Sequence, residues 1–256
     1  MKKKIDLEKF KLENQILSKF DIKLLGIIIC GMDELTKLLA KVNRQFKTYF
    51  DTIKIADKEL KFLQITNMKE YIEKITESNK IELPYWAKIW EGSIVLAYLV
   101  SKRQPHKSSE CLEIGAGIGV AGLFAAAFGY KVTITDIDKN ALLFAKISAI
   151  KNGLNVNIKK LDFTKDNLNH RYDLIFASEV LYKEDSYIPL INFFKNHLKE
   201  DGLIYLAKNR KIRAEGFFNE LEKDFFISKK EVGLKGGDEK YIIPIYEIWL
   251  KGRENA

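Results

Sequence analysis

The chain reads as an α/β protein: a mostly parallel seven-stranded sheet closed by a C-terminal antiparallel hairpin, with a helical and β-hairpin extension in front of it. Three observations predict this. From Cys111 onward, β-type apolar runs alternate with helical patterns, the order that builds a parallel sheet. A glycine-rich turn, Glu113-Ile-Gly115-Ala-Gly117-Ile-Gly119, directly follows the first of these strands and opens a helix. The last two strand-like runs are joined by a short glycine-rich segment, too short for a crossover, so they must run antiparallel.

Residues 5–45 read as mostly helical. Leu7, Phe10, Leu12, Ile16, Leu17 and Phe20 recur near helical spacing, as do Leu35, Leu38, Leu39 and Val42. From Lys47 to Asn67 the pattern changes to alternation on either side of Ala56-Asp57-Lys58-Glu59, which predicts a β-hairpin. A short helix follows over Met68–Glu77. Pro84 then suits the first turn of a long helix, Pro84 to Arg103, where its missing N–H costs nothing. In that helix Trp86 and Trp90 are four apart and share a face. They read equally as core packing or as an indole laid over a bound ligand. The predicted division is an extension over residues 1–83 and a cofactor-binding domain over residues 84–256.

In that second part the strands fall at Cys111–Ile114, Lys131–Thr135, Val156–Leu161, Tyr172–Ala177 and Leu203–Ala207. The helices fall at Val120–Phe128, Lys139–Asn152 (ending at Gly153, a fitting residue just past a helix), Ser186–Leu198 and Ala214–Leu221. Asp224–Val232 and Tyr241–Lys251 form the closing hairpin around residues 233–238.

Composition narrows the chemistry. Apolar residues make up 46 % of 256 residues, enough for a full core. The net charge is +8, and residues 1–80 hold 17 Lys/Arg against 12 Asp/Glu. That balance suits an acidic partner or RNA, and equally a lysine-rich solvated surface. Cys30 and Cys111 lie in apolar runs and read as buried small hydrophobes. His106, His170 and His197 are scattered without a second ligand at metal spacing, so no metal is expected. The N-terminus lacks the apolar core of a signal peptide, and Leu24–Cys30 is too short to span a bilayer, so a cytoplasmic location without membrane attachment is expected. Nothing in the residue types decides an oligomeric state.

The glycine turn carries the functional signal. Its glycines let the backbone turn sharply and approach a ligand, and the following helix aims its N-terminus at that point. Asp136 comes 21 residues after Gly115, at the end of the next strand, where an acid accepts hydrogen bonds from ribose hydroxyls. Strand, turn, helix, strand and acid make a Rossmann-like unit for an adenosine-bearing cofactor. Gly117-Ile-Gly119-Val-Ala-Gly122 also fits the dinucleotide pattern, but Gly115 then has no role. Glu113, expected to point its carboxylate at the mouth of the turn, would repel a pyrophosphate. It would favour the ammonium and sulfonium of S-adenosylmethionine.

With these residues the chain resembles the class I S-adenosylmethionine-dependent methyltransferases over about residues 84–251. The resemblance implies that Gly115, Ala116, Gly117 and Gly119 wrap the methionine part, beside Glu113. It implies that Asp136, followed by Ile137, holds the ribose, and that Asp162, followed by Phe163, meets the adenine amino group. Trp90 and Ser178 complete the expected cofactor contacts. A narrower resemblance follows from Ala177-Ser178-Glu179-Val180-Leu181-Tyr182, the Pro-Tyr-Trp-x-x-x-Trp segment and the preceding hairpin. This set is similar to the seven-strand protein-lysine methyltransferases (methyltransferase family 16), whose acid-x-x-Tyr box is Glu179-x-x-Tyr182 here, with Glu where many members have Asp. It implies Glu179 and Tyr182 as catalytic residues. Glu179 would hold a substrate amine while it loses its proton, and Tyr182 would flank the methyl group.

The plainer readings are a solvent-exposed residue at a helix start for Glu179 and junction packing for Tyr182. RNA is the main rival substrate. Base-amino enzymes usually carry [DN]-P-P-[YF] where this chain has Ser178-Glu179-Val180-Leu181, and neither cysteine is placed for cytosine C5 chemistry. Lys208, Arg210, Lys211 and Arg213 suit phosphates, an acidic protein surface or plain solvation. A small-molecule methyltransferase and a non-catalytic S-adenosylmethionine-binding protein stay open as alternatives.

Overall fold

The structure, a computed structural model, describes residues 33–77, 84–106, 109–236 and 239–252. The expected helical pattern over residues 5–32 lies outside these. Residues 33–42 are helical (α1). Strands β1 (Thr48–Ile55) and β2 (Lys58–Ile65) form the predicted hairpin in full antiparallel register, from Thr48 opposite Ile65 to Ile55 opposite Lys58. The connection is tighter than the four residues expected: Ala56 and Asp57 suffice, with Ala56 at φ 52°. Helix α2 is Met68–Glu77.

The long helix expected from Pro84 does not form as one piece. Tyr85–Ala87 make a single 3₁₀ turn, Lys88–Trp90 run extended, and helix α3 begins only at Glu91 and ends at Ser101. Two packing demands explain the break. Trp86 sits against Phe46 and Phe144, with ring centroids 6.0 and 5.1 Å apart. Gly92 must lie almost in contact with Ser178 and Ala207: a Cβ built on it would come 2.6 Å from Ser178 Oγ and 3.0 Å from Ala207 Cβ. A straight helix serves one of these contacts and not the other. Trp86 and Trp90 therefore do not share a helical face.

The remaining elements follow as read, within a few residues: β3 (Glu110–Ile114), α4 (Val120–Ala127), β4 (Lys131–Asp136), α5 (Lys139–Lys151), β5 (Asn157–Lys160), β6 (Tyr172–Ser178), α6 (Tyr187–His197), β7 (Leu198–Ala207), α7 (Glu215–Leu221), β8 (Phe225–Gly236) and β9 (Glu239–Leu250). The closing strands are longer than expected, because Gly233–Gly236 continue the ladder rather than turning. The sheet order is β5-β4-β3-β6-β7-β9-β8. The first five strands are parallel to one another; β9 runs antiparallel to β7 and β8.

Side chains alternate between two cores, as the pleat requires. Cys111, Leu174 and Phe176 face the layer of α3, α4, α5 and the N-terminal hairpin. Leu112, Ile114, Ile175 and Ala177 face α6 and α7. The hairpin is bonded onto α5. Asn152 accepts from Lys61 N at 2.8 Å and donates to Lys61 O at 2.7 Å, while Ser148 Oγ accepts from Leu63 N at 3.0 Å. Phe62 is fully buried there, close to Phe124. Burial of one such side chain contributes about 1.5–3 kcal/mol.

This order places the site. The chain runs outward from β3 through β4 to β5, then crosses back to β6 on the other side of β3. The carboxyl ends of β3 and β6 thus flank the point where strand order reverses, where open α/β sheets hold ligands. The glycine turn leaves β3 at that point, and Ser178–Tyr182 leave β6 there.

Candidate active site

Gly115, Gly117 and Gly119 all have positive φ, at 56°, 55° and 77°. Side chains are excluded at the first two for a second reason. A Cβ on Gly115 would lie 2.9 Å from Val180 Cγ1, and one on Gly117 would lie 2.7 Å from the Trp86 carbonyl oxygen. The turn is held by its own bonds: Ala116 N donates to Thr135 O at 3.0 Å, and Gly119 N to Ala116 O at 2.9 Å. The backbone of Trp86 thus lies close against Gly117.

The Trp90 indole is anchored at the start of α3: its N–H donates to Tyr85 O at 2.9 Å, and the Lys88 ammonium sits 4.3 Å from its ring centroid. Trp90 occupies the N-cap position of α3 and presents a cation-holding face.

Glu113 is also placed differently from expectation. It is 2 % exposed, and its Oε2 accepts from Gly122 N at 2.8 Å, with a further bond from Ala121 N. The carboxyl therefore caps the N-terminus of α4 from behind the turn instead of facing its mouth. Unpaired N–H groups in a helix's first turn attract a carboxylate, and here they are nearer than any ligand. Gly122 leaves room for this: a Cβ on it would come 2.5 Å from Glu113 Oε2. Burial pushes the Glu113 carboxyl up to about 8, the two backbone N–H bonds pull the other way, and nearby Asp136 adds to the rise.

Asp136 stands where the ribose acid was expected, at the end of β4. Oδ2 accepts from Gly117 N and Oδ1 from Asp138 N, both at 2.8 Å. Burial raises its proton affinity too, against those bonds. Glu113, pushed up to about 8, keeps its proton at neutral pH, so Asp136 is the carboxyl that makes the glycine turn a poor seat for a pyrophosphate. Ile137 is exposed beside Asp136, a large apolar side chain left in solvent at the rim. Asp162 closes its own turn, accepting from Thr164 N at 3.0 Å and Thr164 Oγ1 at 2.5 Å. The Thr164 hydroxyl bond leads in holding its carboxyl below the usual range, with Lys165 adding to it. Phe163 packs against the α6–α7 core.

On the β6 side, Glu179 has φ 57°, left-handed backbone in a non-glycine residue. Such a conformation costs on the order of 1–3 kcal/mol and persists only where the surroundings enforce it. Here Glu179 N donates to Ala207 O at 2.9 Å, and Glu179 Oε2 accepts from Asn209 N at 2.8 Å. Oε1 lies toward the start of α3, 3.5 Å from where a Cβ on Gly92 would be. Burial raises the carboxyl, Glu91 adds to the rise, and Lys208 and Lys88 oppose it. The Ser178 hydroxyl is buried under Gly92 and is the one buried side-chain polar atom without a hydrogen-bond partner among the described residues. Tyr182 is exposed, and its phenol is pushed up by partial burial and then by Asp136 and Asp162. It therefore belongs to the Asp136 side of the mouth, while Glu179 belongs to the α3 side.

Three participants escaped the sequence reading. Gly92 and Asn209 position Glu179, and the Trp86 carbonyl crowds Gly117. Only Gly92 had a signal, a glycine inside a helical pattern.

Residues 65–226 match the lysine methyltransferase family. Protein N-lysine methyltransferase METTL21A of Mus musculus is 32% identical over 154 residues, covering 56% of this chain and 70% of that protein. EEF1A lysine methyltransferase 3 of Mus musculus is 26% identical over 185 residues, 67% of this chain and 75% of that protein. A Histidine protein methyltransferase 1 homolog of Dictyostelium discoideum is 31% identical over 128 residues, but only 41% of its length is covered. Among solved structures, the T. thermophilus 16S rRNA N2 G1207 methyltransferase in complex with AdoMet and guanosine aligns with TM-score 0.55 and 16% identity, over 78% of this chain and 50% of that one. At that identity the likeness concerns the fold alone.

Proposed function

This chain belongs to the lysine methyltransferase family and is an S-adenosylmethionine-dependent methyltransferase, and we propose that it modifies a protein lysine held at Glu179. The cofactor's fit is supported by three features: a turn with three positive-φ glycines, the Asp136 carboxyl at the end of β4, and the unpartnered Ser178 hydroxyl at the end of β6. Gly115–Gly119 and Ser178 would hold its methionine part, Asp136 its ribose, and Ile137, Asp162 and Phe163 its adenine. When bound, S-adenosylmethionine supplies a methyl group on a sulfonium, already a good leaving group.

The protein's own tasks are then to orient the amine and to take a proton from it. A lysine ammonium must become neutral before its lone pair can attack. Glu179 receives it: Oε2 is fixed by Asn209 N, which leaves Oε1 toward α3 to accept an N–H of the substrate. A carboxylate whose proton affinity is raised by burial is a better acceptor than one in water. Tyr182 walls the mouth on the cofactor side, limiting access of water. The observation that carries this reading is the left-handed backbone at Glu179, held by Ala207 O and Asn209 N, which leaves Oε1 of a half-buried carboxylate toward the start of α3.

The test is incubation of the full chain with methyl-labelled S-adenosylmethionine and RNase-treated cell extract, followed by hydrolysis and identification of the labelled residue. Methyl-lysine in discrete protein bands, lost with Glu179→Gln, is expected. Label found only in RNase-sensitive material, or only on histidine, would overturn the substrate assignment.

A further inference from the structure

The four basic residues after β7 read from sequence as a single cluster, and the structure divides them. Lys208 is 7 % exposed, and its ammonium donates to Ile212 O at 2.8 Å and Asn209 O at 3.4 Å. Asn209 Oδ1 accepts from Lys211 N at 2.9 Å, and Ile212 N donates to Asn209 O at 3.1 Å. Lys208 is thus a strut that ties down the loop of residues 209–213. Arg210, Lys211 and Arg213 are exposed on that pinned backbone, and among the described residues no carboxylate pairs with them. Many other surface lysines are paired, as in Lys146–Glu34, Lys195–Asp224, Lys199–Asp173 and Lys230–Glu247. The loop begins at the residue whose amide holds Glu179.

We propose that Arg210, Lys211 and Arg213 form a docking surface for an acidic segment of the protein substrate lying beside the target lysine. The proposal rests on the reading of Glu179 given above. Three unpaired cations on a fixed loop attract an anionic partner and orient it before contact. An acidic protein segment suits the site better than RNA. Glu179 is bonded to the first amide of the loop, with Glu91 near enough to raise its proton affinity, and this negative charge interrupts the positive track that a phosphate backbone requires. An acidic segment also brings its own lysine, whose ammonium those carboxylates favour.

The test compares the full chain with a variant carrying Arg210→Glu, Lys211→Glu and Arg213→Glu. A control carries the same charge change at the exposed lysines Lys54, Lys102 and Lys131. Labelled poly-L-glutamate and poly(A) RNA are the binding probes, and methyl transfer to proteins of RNase-treated extract is the activity readout, at 50 and 300 mM NaCl. Expected is at least tenfold weaker poly-L-glutamate binding and slower protein labelling for the loop variant. Its salt dependence should be flattened, its affinity for S-adenosylmethionine unchanged, and the control close to wild type. Equal losses in loop variant and control, or loss of poly(A) binding alone, would overturn the proposal. If the wild type labels no protein, the lysine reading fails, and the poly-L-glutamate comparison still decides whether the loop is an acidic docking site.

Discussion

Two glutamates end neighbouring strands of the same sheet and do different work. Glu113 closes β3, and Glu179 follows β6. Burial raises the proton affinity of both. Glu113 is sealed behind the glycine turn, with its carboxyl bonded to the first turn of α4 and its proton retained at neutral pH, so it holds the turn and the helix together. Glu179 is half-buried, forced into left-handed backbone and, among the described residues, secured at Oε2, which leaves Oε1 for the substrate contact proposed above. A carboxylate at the end of a parallel strand is therefore not a function in itself. What decides its role is whether a helix N-terminus or open crevice is the nearer partner.

Substitutions that break the comparison rank by expected size. Asp136→Ala removes the acid that ties Gly117 N and Asp138 N and that is proposed to hold the ribose. Hydrogen bonds to a charged group contribute about 1.5–3 kcal/mol each, so S-adenosylmethionine affinity should fall by roughly 10–100-fold or more in calorimetry. Unchanged affinity would remove Asp136 from the site.

Glu113→Gln keeps an acceptor for Gly122 N but removes the titration. With the folded carboxyl at about 8 and an ordinary glutamate at 4.5, the folded protein keeps a proton that the unfolded chain has lost between those limits. Stability from this group is full below about pH 4.5 and falls as pH rises through about 8. The wild type should lose thermal stability across that window, by an amount on the order of a few kcal/mol at most, and Glu113→Gln should lose less. Melting curves taken from pH 5 to 9 measure this, and parallel slopes for the two proteins would refute the buried-acid assignment.

Gly92→Ala places a methyl against Ser178 Oγ and Ala207 Cβ, within reach of Glu179 Oε1. Overpacking of this kind costs about 1–3 kcal/mol. Cofactor affinity should drop because the methyl meets Ser178, and methyl transfer should drop further because it also displaces Glu179 Oε1. Equal drops in the two measurements would show that the crowding is merely structural.

The cofactor half was legible because its signal is local. Glycines, strand, helix and acid lie within Glu113–Asp136, and each residue's role depends on neighbours in sequence. Even there the direction of Glu113 was misread, since the competing helix N-terminus is visible only once α4 is placed. The substrate half depends on contacts between distant segments. Pro84 to Arg103 carries a helical pattern throughout, yet the chain breaks at Lys88–Trp90 because Trp86 packs toward Phe144 while Gly92 packs toward Ser178. No local rule reports that conflict. Lys208 shows the same limit: as a residue type it joins its basic neighbours, and only the carbonyls of Asn209 and Ile212 mark it as internal.

The different roles of the two glutamates are tested most directly by measuring cofactor affinity and methyl transfer side by side for Glu179→Gln and Glu113→Gln. Glu179→Gln should bind S-adenosylmethionine within about twofold of wild type and lose roughly 10²–10⁴ in transfer rate. Glu113→Gln, which keeps an uncharged acceptor for Gly122 N, should stay within a few-fold of wild type in both. Loss of cofactor affinity in Glu179→Gln as large as its loss of transfer, or loss of transfer in Glu113→Gln as large as in Glu179→Gln, would contradict this division of roles.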